Sequence, residues 1–332
     1  MAKKIVLING GGAFGIIPAH FLSLVESDTD KDFRSCIDCL AGSSIGGVLS
    51  AIYGVGHSPT VISSAFLPAC RKIFQKRFIA RINPLASPTY GDDTLNEFIN
   101  GYVSEHKLGD IRTNYPNLDM FFAGLDATED SFKVWDNITG KDDDTPLKDI
   151  CRITCAAPTY FDAFNLNGHA MVDCGLIENT MLMTTTIGYK NARKVPFEDM
   201  DVLLIGTGFL RDKEPLTADR YNSLSQLGIL YNLIIPYVTQ SNELASIYWA
   251  RGLGLRNFYY FNPVVINCAM DDVEHIAPTL SDAMEFDTKF INVWNRFLSD
   301  EKLDPYKDVR DLIILPEHLC NTYYERESKK CV

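Results

Sequence analysis

No apolar run in the 332 residues is long enough to cross a bilayer; the longest, residues 227–238, is interrupted by Asn232. The opening stretch MAKKIVLINGGG also lacks the apolar core of a secretory leader. A soluble cytoplasmic protein, free or peripheral at a membrane surface, is therefore expected. Positive charge is scarce: 31 Lys and Arg face 43 Asp and Glu, a formal net charge of −12. Phosphate backbones need a basic footprint, so nucleic acid is not an expected partner. The nine cysteines are odd in number and have no framework spacing, which points away from a disulfide scaffold and toward a reducing compartment. Cys36-x-x-Cys39 falls in a β-like run rather than at a helix start. Cys151 and Cys155 are spaced to share a zinc ion but read as buried free thiols. Repeats and low-complexity linkers are missing too, so one domain is expected, with a core at 1–210 and further elements at 211–332 packed on it.

What is present is an alternation of strand and helix patterns. Residues 5–9 read as a strand, 14–26 as a helix, 35–41 as a strand and 46–54 as a helix. Ser58-Pro59 is a cap and first-turn proline, and Asp92 or Asp93 caps a helix through Val103. Strands are expected at 118–125, 132–136 and 201–205, with another ending near Asp173. Helices are expected at 146–156, 224–248 and 279–298. This order predicts an α/β fold, a mostly parallel sheet with helices on both faces.

Two glycine turns follow the first two strands. Gly10, Gly12 and Gly15 fit G-x-G-x-x-G between a strand and a helix, the setting of a dinucleotide fingerprint. That fingerprint also needs an acidic residue at the end of the second strand, where this chain has Gly42-Ser43-Ser44-Ile45-Gly46. G-x-S-x-G is a nucleophile elbow, whose small residues let the backbone turn sharply and expose the serine hydroxyl. Gly11 and Gly12 can then offer N–H groups to an oxyanion because no Cβ obstructs approach.

Ser44 needs a base. The six histidines are His20, His57, His106, His169, His275 and His318, and His275 fits the Ser…Asp…His order best but has no local signature. Only one strand precedes the elbow strand, unlike an α/β-hydrolase. Asp173 in HAMVDCGLIENT ends an extended run and precedes Cys174-Gly175, so its carboxylate can meet a serine directly. Alone, such an Asp-x-Gly is an ordinary turn.

Taken together, GGGAFGIIP, GSSIGG, TCAAPTYF at 154–161, VDCG at 172–175 and LLIGTG resemble, in order, the patatin-like phospholipase family over residues 5–208. The resemblance implies a three-layer α/β/α fold and a lipid acyl hydrolase of the phospholipase A type that works without a metal or cofactor. It implies Ser44 as nucleophile, Asp173 as base, and an oxyanion hole from Gly10, Gly11, Gly12 and Ile45, framed by the motif glycines Gly15, Gly42, Gly46 and Gly175. Three positions depart from the family pattern: Asn9 replaces Asp, Phe14 replaces a basic residue near the mouth, and Cys174 replaces glycine.

No Asp or Glu occurs from Leu40 to Gly91, where Arg71, Lys72, Lys76, Arg77 and Arg81 interleave with Phe66, Ile73, Phe74, Phe78, Ile79 and Ile82. This stretch reads either as contact with an anionic membrane or as a solvated face over a buried stripe, and Pro68 interrupts its helical pattern. Residues 227–238 read as core helix or as the wall of an acyl channel, and Asp142–Asp144 as a polar turn rather than a calcium loop. Two other functions stay open on the residues: a nucleotide-binding oxidoreductase using the 10–15 turn, and a binding module that keeps the fold without turnover.

Overall fold

The apolar runs that read as strands lie at the centre of the computed structural model, which describes residues 2–29, 32–77, 87–175, 179–210, 245–265, 271–304 and 312–314, with Asp219 and Asp308. The first half comprises β1 (Lys3–Ile8), α1 (Ile16–Thr29), β2 (Cys39–Gly42), α2 (Ile45–Gly54), α3 (Pro59–Ile73), α4 (Asp93–Val103), β3 (Asp119–Asp126), β4 (Ser131–Asp136) and α5 (Leu147–Thr154). There follow β5 (Phe164–Leu166), β6 (His169–Val172), α6 (Asn179–Arg193), β7 (Met200–Ile205), β8 (Phe209–Leu210), β9 (Asn257–Phe261), β10 (Val264–Val265), α7 (Ile276–Met284), α8 (Asp287–Leu298) and β11 (Ile313–Ile314).

Nine strands form one sheet in the order β11-β9-β7-β1-β2-β3-β6-β5, with β4 also on β3. From β11 to β3 neighbours are parallel, while β4, β5 and β6 pair antiparallel. β7 and β9 are buried at every position, which is why Val202–Ile205 and Phe258–Phe261 do not alternate with polar residues.

Register partners share a face of the sheet. Ile5 pairs with Cys39 and Cys39 with Asp119, and on that face Asp119 accepts from Arg193 Nε of α6 at 2.7 Å. Lys4 points the other way, where its Nζ donates to the Phe297 carbonyl of α8 at 2.6 Å. On the same side Phe21 of α1 stacks on Phe290 of α8, ring centroids 4.7 Å apart. Helices therefore cover both faces, giving the three layers expected.

The sheet order also locates the crevice. The chain steps from β1 to β2 and β3 in one direction, then returns to β7 on the opposite side of β1 and continues to β9 and β11. The loops after β1 and β7 part at that switch, where open α/β sheets hold their ligands.

Several elements differ from expectation. Residues 14–26 are not one helix: Gly12–Gly15 is a 3-10 turn and α1 starts at Ile16, so no α-helix N-terminus opens directly on the glycine loop. The strand expected at 35–41 begins only at Cys39, because Asp32 accepts from Arg34 N at 3.0 Å and starts a 3-10 turn over Phe33–Cys36. Residues 279–298 split into α7 and α8. Ser58 caps α3 with Pro59 in its first turn, and α3 runs through Pro68 to Ile73. Asp92 precedes α4 but makes no side-chain cap; its carboxylate pairs with Arg152 at 2.6 Å. Most of the helix expected at 224–248, including the 227–238 run, lies outside the described residues.

Candidate active site

The elbow is built by close approach. Ser44 connects β2 to α2 with φ 51° and ψ −128°, a left-handed conformation that costs a non-glycine residue about 1–3 kcal/mol. The turn needs glycine at 46, since a Cβ there would stand 2.2 Å from the Ile8 carbonyl oxygen of β1. Ser43 N–H donates to that same oxygen at 3.2 Å and Gly46 N–H donates to the Ser43 carbonyl at 2.8 Å. The Ser43 side chain is buried and accepts from Gly10 N–H at 3.1 Å, so it braces the loop and leaves the crevice to Ser44.

Three consecutive residues at the end of α5 then join the two halves of the site. Thr154 Oγ1 accepts from Ser44 N–H at 2.9 Å. The Cys155 thiol lies beside the Ser44 hydroxyl. The Ala156 carbonyl accepts from Asp173 N–H at 3.0 Å. Asp173, just beyond β6, is buried, with its carboxylate beside the Ser44 hydroxyl and accepting from Gly175 N–H at 2.7 Å. Burial lifts its pKa from the usual 3.8 to about 7, and the Ser44 hydroxyl and Gly175 N–H pull the other way. Burial also pushes the Cys155 thiol well up, with the Asp173 charge adding to it, so that thiol stays protonated.

The glycine loop faces this pair. Gly12 has φ 58°, a left-handed conformation that suits glycine. Among the described residues, none accepts from the N–H of Gly11, Gly12 or Ile45. Gly10 departs from the expected donor set, because its N–H is already given to Ser43 Oγ. Gly15 and Gly42 serve packing: a Cβ on Gly15 would meet Ile45 and Phe66 at 2.8 Å, and one on Gly42 would meet the Gly46 carbonyl at 2.4 Å. Phe14, standing where the family pattern has a basic residue, is buried and not at the mouth.

Gly12, Ser44 and Ile45 open onto an apolar chamber. Its other walls are apolar, drawn chiefly from Phe66 and Ile73 of α3, Phe74 just after it, Phe98 of α4, and Phe161. The aromatic residues of the basic stretch that fall within the described residues therefore face inward and line this chamber. Of its cations, Arg71, Lys72 and Lys76 are exposed on α3 and just beyond it, and Arg77 pairs with Asp162 at 2.5 Å. Arg81, Phe78, Ile79 and Ile82 lie outside the described residues.

Other expected ligands have local partners. His169 Nδ1 bonds Asp126 at 2.8 Å, and His275, 72% exposed at its side chain, bonds Asp272. Neither is bonded to Ser44. Among the described residues, Asp126, Glu129 and His169 are the one group spaced to hold a metal ion. Lys133 already stands 3.8 Å from Asp126 and 3.5 Å from Glu129. Asp143 pairs with Arg112 and Asp144 with Lys107, as in a polar turn. Cys151 and Cys155 are free buried thiols.

The model of the patatin-like phospholipase family matches residues 6–185, more than half the chain. The chain is 24% identical over 342 residues to the cGAMP-activated phospholipase of Escherichia coli (strain TW11681), covering 94% of this chain and 93% of that protein. It is 27% identical over 261 residues to patatin-like protein 2 of Arabidopsis thaliana, covering 64% of this chain and 62% of that protein. Among solved structures, VipD from Legionella pneumophila is similar with a TM-score of 0.37 and 11% identity, over 93% of this chain and 73% of that one.

Proposed function

Because the chain belongs to the patatin-like phospholipase family and is thus a lipid acyl hydrolase, we propose that it cleaves fatty-acyl esters of phospholipids with Ser44 as nucleophile and Asp173 as base. The observation that carries this reading is a buried carboxylate, its pKa raised to about 7, beside the Ser44 hydroxyl. A carboxylate so placed accepts a proton near neutral pH without an imidazole between it and the serine.

In the proposed cycle the Ser44 proton passes to Asp173 as Oγ bonds the ester carbonyl carbon. The carbonyl oxygen becomes an oxyanion held by N–H groups of Gly11, Gly12 and Ile45. Collapse breaks the ester C–O bond, and protonated Asp173 gives its proton to the departing alcohol oxygen. Water then attacks the acyl-enzyme with Asp173 taking its proton; the bond from the acyl carbon to Ser44 Oγ breaks, Oγ takes that proton back from Asp173, and the free fatty acid leaves. The apolar chamber would hold the acyl chain. Ser44→Ala and Asp173→Asn should each lower turnover of a phosphatidylcholine by at least about a thousandfold, on the scale of losing a nucleophile or its base. Retained activity in either variant would refute the pair. Ser43→Ala is the control, since its side chain braces the loop from behind.

Arg71, Lys72 and Lys76 support a second, peripheral element of the proposal. They are exposed beside a helix whose inner face lines the chamber, so a membrane docked there would meet the site that consumes it. Neutralising all three should weaken binding to phosphatidylserine vesicles by about 1 kcal/mol per charge while leaving hydrolysis of a soluble short-chain ester unchanged. Unchanged vesicle affinity would remove this contact. The extension of the sheet by β9 and β11 supports reading residues 1–210 and 211–332 as a single domain.

A further inference from the structure

The motif LLIGTG supplies no group to the cycle above, yet its threonine touches the oxyanion loop. Thr207, buried just beyond β7, donates from Oγ1 to the Gly10 carbonyl at 2.8 Å. Its side chain presses on the next residue, where a Cβ on Gly11 would lie 2.4 Å from Oγ1 and 2.8 Å from Thr207 Cβ. The root of the loop is fixed as well, with Asn9 N–H donating to Ile205 of β7 at 3.0 Å.

The threonine is itself held from behind. Asn262, fully buried after β9, accepts from Gly208 N–H at 2.7 Å, and Gly206 N–H donates to the Phe261 carbonyl at 2.8 Å. A Cβ on Gly206 would fall 2.3 Å from the Asn262 amide, so this turn is clamped against that side chain. A continuous set of contacts thus runs from the end of β9, through the turn 206–208, to the loop facing Ser44.

We infer that Thr207 is a positioning residue that aims the oxyanion donor. It rests on the reading of Ser44 as nucleophile. The Gly10–Gly11 peptide is trans, so its C=O and N–H point in opposite directions. By holding the Gly10 oxygen, the Thr207 hydroxyl turns the Gly11 N–H toward the open side of the loop, beside Ser44. A peptide between two glycines rotates with little steric resistance. Turned over, it would present a carbonyl oxygen where the oxyanion must form and repel it. The Thr207 hydroxyl is the group that opposes that rotation.

Thr207→Val removes the hydroxyl and keeps the shape. It should lower kcat roughly 10- to 100-fold, the scale of a displaced oxyanion donor, with KM within about twofold. Thr207→Ser, which keeps the hydroxyl, should stay within a few-fold of the parent. Affinity for a fatty-acyl trifluoromethyl ketone, which adds to a serine as an oxyanion, should fall with kcat in Thr207→Val, while affinity for the free fatty acid holds. A parental kcat in Thr207→Val overturns the inference. So does a folded Thr207→Ser whose kcat falls roughly 10-fold or more below the parent, and this arm decides the matter if Thr207→Val does not fold. Ketone binding by Ser44→Ala at parental strength would instead refute Ser44 as nucleophile and leave the Thr207 measurements to be read separately.

Discussion

An aspartate in water has a pKa near 4 and is too weak a base to take a serine proton at useful rates. At Asp173 burial changes that, raising the carboxyl to about 7, and the same burial has a cost in stability. The unfolded chain releases this proton near pH 4 and the folded protein near pH 7, so the folded state binds more protons between them. Stability attributable to this residue is therefore full below about pH 4, declines as pH rises, and is lost above about 7. Asp173→Asn removes the titration. It should melt like the parent at pH 4 and higher than the parent at pH 8, by an amount worth on the order of 2–4 kcal/mol. Equal melting at pH 8 would mean that the carboxylate is solvated. At this scale Ser44 and Asp173 could be singled out as candidates because G-x-S-x-G and a strand-ending Asp-x-Gly each carry a local geometric demand. Ser43, Thr154, Cys155 and Thr207 were not, because a small polar side chain acquires a role only when folding brings its partner from a distant element. Gly10 was misassigned for the same reason: its N–H is taken by Ser43, and nothing in the run of three glycines distinguishes the occupied donor from the free ones.

At the scale of elements, α3 does two things with two faces. Phe66 and Ile73 turn toward the chamber, and Arg71 and Lys72 toward solvent. The amphipathic pattern was readable, but which surface its apolar stripe would cover was not, since a membrane and a chamber wall require the same periodicity. Ala69, also on α3 and half-buried, is a small residue of that wall. A larger side chain there would occupy volume intended for an acyl chain without touching Ser44. Ala69→Trp should lower turnover of long-chain esters at least tenfold, about 1.4 kcal/mol of barrier, and spare acetyl or butyryl esters. Equal losses on short and long esters would place the acyl chain elsewhere. Other elements were misjudged through local chemistry. Asp32 converts the start of an expected strand into a 3-10 turn, and the exposed Pro68 is carried inside α3 although its ring usually ends a helix.

Across the whole molecule, the site exists because of where β1 lies in the sheet. Its neighbours β2 and β7 carry the elbow and the 206–208 turn, so three loops that are remote in sequence meet at one end of the sheet. β6 then brings Asp173 from the antiparallel side, through α5, which binds both Ser44 and Asp173. Strand–helix alternation made the parallel sheet legible. The strand order was not, because alternation is the same whichever side of β1 the chain returns to. A buried charge group reinforces the sheet: Lys4 of β1 and Arg256, next to β9, both reach Asp201 of β7 at 2.7 Å. The central claim is that this assembly makes Asp173 the base for Ser44, and the pH dependence of labelling by a fluorophosphonate tests it most directly. The adduct should form on Ser44, with a rate that rises through a midpoint near pH 7, and Asp173→Asn should label slowly with that rise abolished. Labelling at another residue, or the same rise persisting in Asp173→Asn, would contradict the account.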